Sequence, residues 1–168
     1  MARGNGSAAC TTQAGTRGGQ AAVKLFASSE AAREFAAGAL DEPTPDDGEE
    51  SPLRQMWDAL RFARTHDMTV ACIEGGRVVA AICWRPCYGA NKTLVSHLGS
   101  TRKGLGSLLL RHAAADAASR GEGLYLESLP GAAGFYERYG FASDEISELG
   151  YPIFTLGPDA TAALALST

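Results

Sequence analysis

Residues 68–84, MTVACIEGGRVVAAICW, set two apolar, β-rich runs on either side of a two-glycine link. So short a connection joins antiparallel neighbours only, because parallel strands need a crossover of a dozen or more residues. The segment predicts a β-hairpin, and KTLVSHL at 92–98 is a third run of the same kind. Residues 105–119 then change period: Gly106, Leu109, Leu110, Ala113 and Ala117 fall on one helical stripe. A sheet that starts antiparallel therefore leads directly into an amphipathic helix.

The rest of the chain extends that pattern. AVKLF at 22–26 reads as a strand, with Ser28 and Ser29 as N-caps for a helix over EAAREFAAGAL. Ser51 and Pro52 suit the N-cap and first position of a second helix, running to about His66, with Leu53, Met56, Trp57 and Leu60 on one face. LYLES (124–128) and YPIFTLG (151–157) are strand-like, and GAAGFYERYG (131–140) is a short helix ended by Gly140. The expected fold is α+β, a mixed, mostly antiparallel central sheet flanked by helices. One domain is expected over residues 21–158, after a low-complexity, mobile segment at 1–20 and before a tail at 159–168.

Charge excludes one class of partner. Of the 19 acids, six lie in DEPTPDDGEE at 41–50, which leaves 15 bases against 13 acids elsewhere. Neither the acidic block nor the near-neutral remainder offers a basic stripe with interleaved aromatics, so nucleic acid is not an expected partner. No apolar run approaches the ~20 residues needed to cross a bilayer, and no signal-type block opens the chain, so a cytoplasmic protein without a membrane partner is expected. Cys10, Cys72, Cys83 and Cys87 form no CxxC pair and read as buried free thiols, with no metal site.

The passage between the third strand and the long helix, GSTRKGLGS at 99–107, carries the chemistry. The first N–H groups of a helix lack carbonyl partners and carry partial positive charge. Gly104 and Gly106 have no β-carbon to hold a phosphate away from those amides, and Arg102 and Lys103 add full charges. A pyrophosphate suits this loop; a plain glycine turn beside two solvated cations also satisfies the pattern. Two familiar phosphate loops are absent, since there is no GxxxxGK[ST] and Leu109 occupies the third glycine position of GxGxxG.

This order of strand, RKGLG helix, LYLES strand and PGAAGFYERYGF resembles the GNAT superfamily of N-acetyltransferases. The family's acetyl-CoA loop reads (Gln/Arg)-x-x-Gly-x-(Gly/Ala), and its later segment often reads Ala-x-x-(Leu/Phe)-Tyr-x-x-x-Gly-Phe, which Ala132, Phe135, Tyr136, Gly140 and Phe141 match in spacing. Thr101 stands where the loop usually has Gln or Arg, so the resemblance shifts that phosphate contact to Arg102 or Lys103. Leu129 stands where many relatives carry a polar residue.

The resemblance implies acetyl-CoA as co-substrate, held by Arg102, Lys103, Gly104, Leu105, Gly106 and Ser107, and acetyl transfer to a primary amine by direct attack. A backbone amide at Leu98 or Gly99 would polarise the thioester carbonyl, and Tyr136 would protonate the leaving thiolate. Glu127 and His97, each near the end of a strand, are candidates for the base. Strand alternation puts His97 on the face of Val95, opposite Leu94, Ser96 and Leu98. Trp84 and Tyr88 read either as lining an acceptor groove or as core and rim, and Glu74 as solvated. The acceptor is a small-molecule or peptide amine, and a cationic one if the acidic segment borders its site. Homodimerisation is left open. The alternative function is a non-catalytic acyl-CoA-binding module on the same fold.

Overall fold

The computed structural model describes the backbone of residues 22–26 and, with side chains, residues 38–41, 44, 46, 48, 51–61 and 67–167 of the 168-residue chain. Residues 1–21, most of the helix expected over 30–40, and most of the acidic segment lie outside the described residues.

The expected strands form in the expected places. β1 (Ala22–Phe26), β2 (Met68–Glu74), β3 (Arg77–Cys87) and β4 (Lys92–Ser100) pair antiparallel in sequence order. Gly75 and Gly76 turn the β2–β3 hairpin with φ of 57° and 80°, the left-handed pair that a two-residue hairpin link requires. β4 then feeds α2 (Leu105–Ser119), and the crossover returns as β5 (Gly123–Glu127), parallel to β4. β7 (Pro152–Leu156) pairs antiparallel with β5, and β6 (Ala142–Ile146) pairs antiparallel with β7. The described residues thus give a seven-stranded mixed sheet in the order β1-β2-β3-β4-β5-β7-β6, the α+β architecture expected.

Two apolar layers cover the sheet. On one face, Leu109, Leu110, Ala113, Ala114 and Ala117 of α2 pack on Val70, Ile82, Trp84, Val95, Leu124, Leu126 and Phe154. On the other, α1 (Pro52–Arg61) buries Met56, Ala59 and Leu60 against Ala71, Val78, Ala81 and Cys83. Trp84 belongs to the core: its indole N–H donates to Asp116 Oδ2 of α2 at 2.6 Å, while Tyr88 is fully out at the β3–β4 turn. Cys72 and Cys83 are buried free thiols and Cys87 is a half-buried one; Cys10 is outside the described residues.

Two stretches depart from the sequence reading. Residues 159–168, expected as a tail, contain most of α4 (Pro158–Leu166), which lies on α2 and buries Thr161 and Leu164. Pro158 starts this helix, and the Thr161 side chain and amide fasten it to the Leu156 and Gly157 carbonyls. β6 was not foreseen at all: all five of its residues are exposed, so it shows no apolar alternation.

Among the described residues no helix is long and apolar enough to cross a membrane, and no three His, Cys, Asp or Glu side chains group as metal ligands.

Candidate active site

The site opens where β4 leaves β5. These strands pair only over Lys92–Leu94 with Gly123–Tyr125, although both continue further. Two residues beyond the last pair, β4 bulges: Trp84 faces Val95 and Cys83 faces His97, so Ser96 is the extra residue. Its hydroxyl donates to the Cys83 carbonyl at 3.2 Å. A bulge bends its strand and sharpens the local twist. Beyond it, β4 stays with β3, and β5 continues with β7.

The bulge also corrects the placement of His97. Val95 packs in the α2-side core, as expected of the partner of Trp84, but His97 pairs with Cys83, which packs on the α1 side. Regular alternation would have put Val95 and His97 on one face; one extra residue reverses that. Leu98 does lie opposite His97, in the α2-side layer.

Between the parted strands is a cavity of about 410 Å³. Residues 95–100 of β4 form one wall, and Glu127 and Leu129 extend from β5 on the other side. Phe135 and Tyr136 of α3 (Ala133–Glu137), Gly106 of α2 and Pro52 and Gln55 of α1 complete it. Successive peptide groups of a strand point to opposite edges, so half of the amides of residues 95–100 face β3 and the others face the notch. Those others are fixed hydrogen-bond donors directed into the cavity.

Gly99 permits the third wall. A β-carbon there would stand 2.5 Å from the Pro52 carbonyl oxygen and 2.7 Å from the Met56 nitrogen, so only glycine lets the start of α1 rest on the end of β4. That approach brings Pro52 and Gln55 to the cavity, which the sequence reading missed.

The glycine loop is tied down by Thr101. Its amide and its hydroxyl donate to the Val79 carbonyl at 2.9 and 3.1 Å, and Val79 is the extra residue of a second bulge, between β2 and β3. Arg102 leans away from the cavity to Glu74 at 2.5 Å, so Glu74 is an ion-pair partner rather than a merely solvated acid. Gly104, with φ of 87°, caps α2 in the left-handed region that glycine favours. The Ser107 hydroxyl is taken by Tyr139 Oη, which fixes the first turn of α2 to the segment after α3.

Of the residues singled out from the sequence, His97, Leu98, Gly99, Gly106, Glu127 and Tyr136 all line this cavity. Arg102, Lys103, Gly104, Leu105 and Ser107 lie in the adjoining loop and first turn of α2. Tyr136 is only 7% exposed and packs edge-on to Phe135 at 5.0 Å and Phe141 at 5.6 Å; burial pushes its phenol well above the ordinary range. His97 is pulled below its usual value by burial, against the opposing pull of Asp58 and Asp67. Glu127 is exposed at the mouth.

A sequence-family profile described as an acetyltransferase (GNAT) domain matches residues 64–143, which span the β2–β3 hairpin, the parted β4, the glycine loop and α3. The chain carries a GNAT acetyltransferase domain. Solved structures agree with the fold. A GNAT-family protein from Desulfovibrio desulfuricans superposes with a TM-score of 0.56 at 19% identity, over 82% of this chain and 99% of its own. AtaTR bound with acetyl-CoA gives 0.56 at 16% identity, over 86% and 98%. PaiA N-acetyltransferase from Thermoplasma acidophilum, in complex with coenzyme A, gives 0.51 at 16%, over 80% and 98%. No curated protein matches the sequence. At these identities the structural likeness bears on the fold, and the GNAT domain's own residues must carry the mechanism.

Proposed function

We propose that this GNAT domain transfers an acetyl group from acetyl-CoA to a primary amine by direct attack. The observation that carries the reading is convergence: one cavity between β4 and β5 collects the strand amides, His97, Glu127, Tyr136 and the glycine end of α2. Its dimensions suit a narrow acyl-thioester arm lying between two strands. Gly106 presents bare backbone to this cavity beside Phe135, where a β-carbon would already be in contact with the ring at 3.7 Å.

The roles follow from the chemistry of each group. The Thr101 amide's bond to Val79 on β3 puts the Gly99 amide on the β3 edge by alternation, so the Leu98 amide, on the edge of β4 that lacks β5, is the donor for the carbonyl oxygen as it gains charge. His97, a neutral imidazole by its burial, takes the proton of the acceptor's ammonium; Glu127, at the mouth, is the second candidate for that base and holds the incoming cation. Tyr136 keeps its proton at neutral pH and gives it to the departing sulfur. The N-terminal amides of α2, with Arg102 and Lys103, receive the pyrophosphate; Arg102 must then exchange Glu74 for it.

Among the described residues Glu127 is the carboxylate of the cavity lining and no Lys or Arg joins it there, so a cationic amine is the preferred acceptor. The test is release of free thiol from acetyl-CoA across a panel of amines. Amine-dependent release supports transfer; binding of acetyl-CoA without release for any amine returns the chain to the alternative, an acyl-CoA-binding module.

A further inference from the structure

Asp67, immediately before β2, is 6% exposed and has no part in the mechanism above. A carboxylate this buried is costly unless other groups use its charge. Its Oδ2 accepts from the Cys83 thiol at 3.7 Å, and its Oδ1 lies 3.9 Å from Arg85 Nη1. Cys83 is the cross-strand partner of His97, and cross-strand side chains sit side by side on one face with β-carbons about 5 Å apart. The Ser96 bulge is what turns His97 to this face. The thiol that touches Asp67 is thus the immediate neighbour of the imidazole.

We infer that Asp67 is the positioning carboxylate of His97, a buried negative charge that stabilises the imidazolium formed when His97 takes the acceptor's proton. In that step the ammonium N–H bond breaks, a ring nitrogen of His97 gains the proton, and the amine keeps the electron pair with which it attacks. The new cation forms on the same face as a buried anion, where charges interact more strongly than in water. The inference rests on the proposed base role of His97.

Other groups face His97, and they define the controls. Asp58 of α1 acts in the same direction as Asp67 and with the larger pull of the two. Cys83 of β3 is a neutral thiol, pushed up to about 11 mainly by burial. Glu127 of β5 and Tyr136 of α3 share the cavity. Arg85, half-buried, is paired with Asp67 and opposes its field.

The experiment is an NMR titration of the His97 imidazole in the full chain, its signal among three histidines identified with His97→Gln. Asp67→Asn should weaken proton binding to His97 about tenfold, with Asp67→Glu restoring most of it. Arg85→Gln, at a partly exposed site that does not threaten folding, should strengthen proton binding. A His97 titration unmoved by Arg85→Gln, or by a folded Asp67→Asn, overturns the inference. The acidic limb of kcat/KM separates the two readings. If the limb moves with the NMR titration, both stand; if the NMR titration moves and the limb does not, Asp67 tunes a histidine that is not the base.

Discussion

Phe135 and Gly106 are neighbours in the cavity lining, with the ring carbon Cζ 3.7 Å from where a β-carbon on Gly106 would be. One methyl group fits there as ordinary contact, and a branched side chain does not. Gly106→Ala should therefore fold and still show a rise in melting temperature with acetyl-CoA. Gly106→Val should fold but lose that rise, because its γ-carbons project into the cavity beside the first turn of α2. Thermal denaturation with and without acetyl-CoA measures both. An undiminished rise in Gly106→Val would place the coenzyme elsewhere.

Gly99 makes a harsher demand. Its missing β-carbon would meet backbone atoms of Pro52 and Met56 inside 3 Å, and backbone cannot swing aside. Gly99→Ala should destabilise the fold by about 1–3 kcal/mol or more as α1 is displaced from β4. Denaturant unfolding reads the loss, and acceptor KM should rise with it, since Pro52 and Gln55 are carried by α1. A variant of unchanged stability would contradict the packing of α1 described above.

The residues that could be read in advance are those whose role depends on local pattern. Gly75–Gly76 declared the hairpin, and the Leu109, Leu110, Ala113, Ala117 stripe declared the helix and its buried face. The order of the glycine loop and Tyr136 declared the family. The Ser96 bulge could not be read, because VSHL is the same four residues whether or not one of them drops out of the ladder, while the bulge reverses every side chain after it. Nor could Thr101, which looks like a gap in the phosphate motif and acts as the tether to Val79. The part of Gln55 in the cavity depends on a helix some forty residues earlier in the chain, and local pattern carries no information about that approach.

Stability should fall in mild acid for a stated reason. Burial lowers the affinity of His97 and His112 for protons in the folded state from an ordinary value near 6.5. The unfolded chain then binds those protons more readily, so this contribution is complete above about 6.5 and is lost as pH falls toward the folded values. The melting temperature should decline as pH falls below about 6.5. His112→Gln should flatten the decline, and His97→Gln should flatten it further. A melting temperature equally steep in pH without both imidazoles would assign the loss to other groups.

Tyr136 is where the account is most exposed, since its ring belongs to the core and its hydroxyl is assigned to the chemistry. Tyr136→Phe preserves the edge-on packing on Phe135 and Phe141 and removes one oxygen. The deciding measurement is kcat for amine-dependent thiol release in this variant, taken beside its melting temperature with and without acetyl-CoA. The account predicts a kcat lower by about 10² with both melting temperatures nearly unchanged. Turnover at the wild-type rate, or activity lost only in step with stability, would contradict it.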